Sequence, residues 1–241
     1  IAIGGVIPHP LAGFGGGAKI VLPGVCGIRT LEANHSNKGA GIGRTTDIRR
    51  DIEDIANIVG LDFSINAVFN EVGETTRIFA GHYQDAHRKT IDLARKEYIK
   101  KFIKGNQICL FNCYPEDSEL NQSSKGFNFM SSGPNDMLAP GNSIVLMSSS
   151  YEGRGFHSLV GETGAKLYRN LGDSKGWKAL MSGRIVFFYS QNISKPDLNH
   201  YFPEDVRLIK DWKNLIAELE TIHGKSPKVA LVPTSIQLIE K

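Results

Sequence analysis

Apolar residues open the chain. Ile1-Ala2-Ile3-Gly4-Gly5-Val6-Ile7 is nearly continuous, so residues 1–8 predict a buried strand leading into a glycine-rich loop. Arg29 to His35 reads as a short helix. Ile48, Ile52, Ile55 and Val59 then recur at helical spacing, with Asp47 as the predicted N-cap and Gly60 as the stop. Residues 61–69 and 75–80 predict two strands, with Val72-Gly73-Glu74 in the turn between them. A long helix is predicted over 84–103, carrying Ile91, Ala94, Tyr98 and Phe102 on one face and stopped by Gly105-Asn106.

A second alternation starts there. Gln107 to Cys113 predicts a buried strand, and Pro115 and Asp117 open a predicted helix over about 116–130. Ser143 to Ser148 reads as a strand, followed by a loop of small residues from Ser148 to Phe156 and a helix at about 157–170. Lys175 to Met181 is a short helix and Arg184 to Ser190 a strand. Ile209, Trp212, Ile216 and Leu219 predict a helix over 204–222, and Lys228 to Val232 is the last strand. Strands alternating with helices give an α/β class. We expect two α/β lobes with mainly parallel sheets, residues 1–105 and 106–241, and an active site in the cleft between them. The last strand is a candidate to return to the first lobe.

Composition narrows this little. The chain has 241 residues, 41% hydrophobic and 22% charged, which suits a soluble globular protein with a substantial core. A net charge of +3 gives no reason to expect nucleic acid or an anionic membrane as partner. The basic run from Lys96 to Lys104 reads as the solvated end of a helix. Three cysteines cannot all pair, which fits a reducing cytoplasm, and Cys109 and Cys113 share one face of a predicted strand as buried packing. No apolar run reaches about 18 residues, so no membrane span is expected. Nor is a signal peptide expected, and the Asn34-His35-Ser36 sequon would go unused in a cytoplasmic protein. Because Ile1 already lies inside a strand-like run, an N-terminal segment is expected before it.

The candidate chemistry gathers in Pro8-His9-Pro10-Leu11-Ala12-Gly13-Phe14-Gly15-Gly16-Gly17-Ala18-Lys19. Glycines allow close approach of a backbone and positive φ. Lysine can serve as a charge or a nucleophile. A Walker A loop is excluded, because Ile20 stands where Ser or Thr is required. A dinucleotide fingerprint (Gly13, Gly15, Ala18, with Glu32 further on) needs a long helix, which Pro23-Gly24 interrupts. A nucleotide- or phosphate-binding Rossmann-like module using this loop is nevertheless the alternative reading. A zinc hydrolase built on His9 and His35 would need a third ligand, and no carboxylate has suitable spacing. Each histidine alone is an ordinary polar residue; His9, Lys19 and His35 together with the loop read as one site. His157 is read as structural, and His82, His87, His200 and His223 as ordinary.

The stretch resembles the lactate racemase family of nickel-pincer-dependent 2-hydroxyacid racemases and epimerases. The likeness rests on Pro8-His9, on Ala12 to Lys19, on Val21-Leu22-Pro23-Gly24 and on Asn34-His35-Ser36. A second block, Tyr114-Pro115-Glu116-Asp117 through Leu120-Asn121-Gln122-Ser123-Ser124-Lys125, resembles another family segment. Leu61 to Asn70, Phe79-Ala80-Gly81 and Ala86-His87-Arg88 also look familiar, so the resemblance covers most of the chain. It implies that Lys19 forms a thioamide link to a nickel-pincer nucleotide, that His35 binds nickel and that His9 is one of two acid/base residues. It places Gly15, Gly16 and Gly17 against the cofactor. Gln122 and Lys125 would lie over substrate and cofactor, and Trp177 loosely matches an active-site tryptophan. Chemically, neutral imidazole suits nickel, and a histidine titrating near neutrality can exchange a hydroxyl proton.

The implied reaction is racemisation of a 2-hydroxy acid by reversible hydride transfer, with cofactor-maturation enzymes and the missing N-terminal segment as partners. That segment carries, in the family, a substrate-binding arginine, a phosphate-contacting motif and the second acid/base histidine, so the chain alone is expected to be an incomplete, inactive fragment. Position 121, commonly tyrosine in the family, is Asn here, and position 18, often basic, is Ala; both bear on substrate identity.

Overall fold

The computed structural model describes residues 1–36, 41–102, 104–127, 129–130, 138–155 and 175–239. The chain divides into two compact units, Ile1–Lys100 and Lys101–Lys241. The helix expected at 157–170 lies outside the described residues. Among those described, no helix is long and apolar enough to cross a membrane.

In the first unit, β1 (Ala2–Gly5) runs parallel to β4 (Phe63–Phe69), which pairs antiparallel with β5 (Thr75–His82). Between β1 and β4 come the two-residue strands β2 (Pro8–His9) and β3 (Gly13–Phe14), then α1 (Ile28–Ser36) and α2 (Asp47–Val59). The helix α3 (Tyr83–Tyr98) follows β5. The inward face of β4 is unusual. Alternation buries Ser64, Asn66 and Val68 and leaves Ile65, Ala67 and Phe69 half-buried, so two polar side chains point to the interior.

Two helix ends differ from the sequence reading. Thr46, not Asp47, caps α2: its backbone is extended and its hydroxyl oxygen accepts from Arg49 N at 3.1 Å, while Asp47 sits in the first turn and pairs with Arg50. Gly60 ends the helix in the left-handed conformation at φ 77°, as expected. The helix predicted to 103 stops at Tyr98, with Ile99 extended. Continuing it would stack Lys96, Lys100 and Lys104 at successive i, i+4 positions, and like charges there oppose helix; Lys100 instead reaches Glu71 at 3.1 Å.

The second unit is built on a five-stranded, wholly parallel sheet. Its strands are β6 (Ile108–Asn112), β7 (Ser143–Met147), β8 (Ile185–Tyr189), β9 (Arg207–Ile209) and β10 (Val229–Val232), in the order β9-β8-β7-β6-β10. Val229–Val232 therefore pairs with Ile108–Asn112 and belongs to this sheet. The three central strands are nearly all apolar because both faces are covered. On one face Cys109, Phe111, Ile144, Leu146, Val186 and Phe188 join the larger core; on the other Ile108, Val145 and Phe187 meet Leu215 and Leu219 of the last helix.

The sequence reading also erred on three helices here. Of the helix expected at 116–130, the described residues show α4 (Leu120–Ser123), a 3₁₀ turn, Ser124–Phe127, and helical backbone again at Phe129 and Met130, while residues 116–119 are not helical. Residues before α4 form a turn because the carbonyls of Asp117 and Ser118 are taken by Ser150 N (2.7 Å) and Glu152 N (2.9 Å). The short helix at 175–181 is present as α5 (Lys175–Met181). Unexpected was α6 (Lys195–Tyr201), capped by Ser194 with proline in its first turn. The helix expected at 204–222 splits: residues 207–209 join the sheet as β9, and α7 (Trp212–His223) starts at a cap formed by Asp211, which accepts from Asn214 N at 2.9 Å. Leu215 and Leu219 face its core, whereas Trp212 and Ile216 are exposed.

Candidate active site

The glycine loop is a folded object, built on its own protein. β2 and β3 pair antiparallel, Pro8 opposite Phe14 and His9 opposite Gly13. Gly15 N donates to Ile7 O at 2.7 Å, and Gly17 N to Asn66 Oδ1 at 2.9 Å. Gly13, Gly16 and Gly17 all have positive φ. A side chain at Gly13 would overlap the carbonyl of Arg44, and one at Gly17 would press on the His87 ring at 2.8 Å. The sequence reading placed these glycines for a ligand's approach. Their need to be glycine is already set by internal packing.

Beneath the loop lies a polar pedestal. Arg49 of α2 is 4% exposed and donates to the carbonyl oxygens of Phe14 (3.0 Å), Gly15 (3.3 Å) and Gly16 (3.4 Å). Its nearest carboxylate, Glu53, is 3.9 Å away, and burial lowers its pKa to about 10. His87 of α3 is also 4% exposed, with Nε2 2.7 Å from both Arg49 Nη2 and Gly15 O. Arginine only donates and a carbonyl only accepts, so the single Nε2 serves one of these two partners, accepting from Arg49 in one neutral tautomer or donating to Gly15 O in the other. Burial first, and then the Arg49 charge, push the His87 pKa down to about 3. From β4, Asn66 Nδ2 donates to Ser64 Oγ at 2.8 Å, which donates to Tyr83 O at 3.2 Å. Sequence reasoning gave Arg49 and Asn66 no role and took His87 as ordinary. A usable signal was present: Arg49 shares the helix face of Ile48 and Ile52, and Asn66 alternates with apolar residues along a strand.

The reactive side chains stand on this base. Lys19 sits in a 3₁₀ turn, Gly17–Ile20, with no long helix after it, which counts against a dinucleotide fingerprint. On α1, His35 Nδ1 donates to Leu31 O at 3.0 Å, leaving the Nε2 lone pair as its acceptor. Burial is the main cause lowering the pKa of His35; the Lys19 charge lowers it further, placing the two groups within electrostatic reach. His9 Nδ1 accepts from Leu11 N (3.2 Å) and Ala12 N (3.0 Å), so its neutral ring carries the proton on Nε2. Among the described residues, no three His, Cys, Asp or Glu side chains form a metal-binding group.

The other sequence-predicted residues belong to the second unit. Gln122 is half-buried on α4, and Lys125 follows in the 3₁₀ turn. Lys125 Nζ pairs with Glu116 Oε2 at 2.8 Å, and both side chains are about four-fifths buried. Next to Gln122, Asn121 is 7% exposed and neither of its side-chain polar atoms has a hydrogen-bond partner among the described residues. Trp177 falls within α5, its side chain outside the described part, and His157 lies outside the described residues.

A family model described as the lactate racemase N-terminal domain matches residues 1–42, a stretch containing His9, Lys19 and His35. The chain is 23% identical to a lactate racemase of Thermoanaerobacterium thermosaccharolyticum, covering 99% of this chain and 60% of that one. It is 25% identical to a lactate racemase of Lactiplantibacillus plantarum, covering 100% and 61%. It thus spans about three fifths of the length of these curated relatives. In fold it resembles the lactate racemase apoprotein from T. thermosaccharolyticum, with TM-score 0.70 at 22% identity over 99% of this chain and 62% of that one. A Thermotoga maritima protein gives TM-score 0.62 at 16% identity over 99% and 65%.

Proposed function

The chain is a partial-length relative of the lactate racemases, and on that footing we propose that it carries the cofactor-anchoring part of a 2-hydroxyacid racemase or epimerase. The observation that carries this reading is Lys19, at the end of the glycine loop, acting electrostatically on His35 of α1, whose Nε2 lone pair is left as an acceptor. The donor set fits a nickel-pincer nucleotide: Lys19 would tether it through its amine and His35 Nε2 would ligate the nickel, the remaining donors coming from the pincer itself. When bound, that cofactor supplies a reversible acceptor for the substrate C2 hydride, so that the planar 2-keto acid can be reduced on either face.

The chain's own residues do the rest. The Leu31 carbonyl fixes the tautomer and orientation of the His35 ring, as a group behind a metal ligand should. Arg49 and Asn66 hold the backbone of Gly15, Gly16 and Gly17, and the His87 ring packs against Gly17, so that Lys19 leaves it at a set point. His9 presents an Nε2–H donor; to take a hydroxyl proton at Nε2 its ring must first leave the Leu11 and Ala12 amides. In the second unit, Lys125, held by Glu116, and Gln122 are the candidates to meet a substrate carboxylate. The partners on this reading are a small 2-hydroxy acid, the remainder of the protein and the cofactor-maturation enzymes.

Intact-mass analysis of full-length protein co-expressed with maturation enzymes tests this. The expected result is a covalent adduct mapped to Lys19 and absent from Lys19→Arg. Unmodified chain under those conditions would overturn the proposal.

A further inference from the structure

A cavity of about 320 Å³ opens in the first unit between α2, α3 and the β3 segment. Among the described residues, Arg44, Arg49, Arg88 and Arg95 line it, against two carboxylates, Glu53 and Asp92. Arg88, Asp92 and Arg95 share one face of α3 at i, i+4 and i+7 spacing. Arg49 forms the floor, almost fully buried, with no carboxylate of the described residues closer than Glu53 at 3.9 Å. Its donors satisfy backbone carbonyls, so they ease its desolvation without neutralising its charge.

At the rim, the exposed Arg44 side chain has no hydrogen-bond or ion-pair partner among the described residues. Arg88 reaches Asp85 at 3.5 Å with one nitrogen. Arg95 donates from Nη2 to Gly43 O at 3.1 Å and lies 5.8 Å from the centroid of the Phe14 ring, which orients its fork. Each rim guanidinium carries five N–H donors in a planar array, so most of the donors remain for a ligand.

We infer that this arginine-lined cavity binds a small multivalent anion, of the phosphoryl or polycarboxylate class, distinct from the Lys19–His35 site. A buried arginine floor in low dielectric strengthens attraction for such a charge, and guanidinium forks match phosphate and carboxylate oxygens bidentately. A doubly charged or larger anion is selected over chloride because it can engage two rim arginines at once. Since Arg49 also holds the glycine loop, an occupant would stiffen that loop.

The test is titration of the purified protein with pyrophosphate and, separately, with citrate, at ionic strength held constant with sodium chloride. Isothermal calorimetry and thermal melting are the readouts. Saturable binding with a raised Tm is expected, and the two arms decide between phosphoryl and carboxylate chemistry. Arg44→Gln and Arg88→Gln change exposed side chains and should leave the ligand-free melting profile intact. Each should weaken binding about tenfold. Absence of saturable binding in both arms overturns the inference, as does binding undiminished in the double variant.

Discussion

His87 offers the sharpest test of the pedestal. Its imidazole is 4% exposed, faces the Arg49 guanidinium at 2.7 Å and has its pKa lowered from 6.5 to about 3. The folded state therefore holds it neutral, whereas the unfolded chain protonates it below 6.5. Its contribution to stability is fully present above pH 6.5 and is lost as pH falls toward 3. The slope for one proton is ~1.4 kcal/mol per pH unit, which integrates to about 5 kcal/mol over that window and to ~2.7 kcal/mol by a pH of about 4.5. Urea denaturation of wild type and His87→Gln near neutral pH and near pH 4.5 measures this. At neutral pH the variant should be less stable by about 1–3 kcal/mol, since it loses ring packing and an Arg49 partner. Near pH 4.5 the gap should close or reverse. Carboxylates, His35 and His223 titrate in both proteins and cancel in the difference. A gap independent of pH would show that His87 is not the buried, neutral partner of Arg49, and the account of the loop's support would fail with it.

Other outcomes follow from single contacts. Lys19→Met should raise the His35 pKa, because the Lys19 charge is one of the causes lowering it; an unmoved imidazole resonance in an NMR titration would place the two groups too far apart. Burial raises the thiol pKa of Cys109 to about 12 and that of Cys113 higher still, and both side chains are enclosed. Native protein near pH 8 should therefore react with a thiol reagent at the half-exposed Cys26 alone, and all three should react in denaturant; rapid modification of Cys113 in the native state would contradict the packed sheet.

Much was legible in the sequence wherever a local rule is also the global one. The apolar runs at 108–112, 143–147 and 185–189 can only be strands covered on both faces, and they are. Gly60 had to end α2. The spacing of His9, Lys19 and His35 about a glycine run singled out the residues on which the proposed chemistry rests. Where the rules failed, distant backbone competed. Asp117 and Ser118 looked ready to start a helix, but the loop at 150–152 takes their carbonyls. Residues 207–209 had helical spacing, but the open edge of β8 offered a ladder of backbone hydrogen bonds.

Thus the sequence alone determined that this is an α/β chain and where four of its five parallel strands in the second unit lie. Those are properties of periodicity and spacing, which act over a few residues. Only the tertiary structure decided what makes that loop rigid and which way its histidines point. Arg49, Asn66 and His87 are 33 or more residues away from the glycine they touch. Their burial is tolerable solely because each finds its partners there. The tautomers of His9 and His35 depend on carbonyls and amides whose positions exist only after folding.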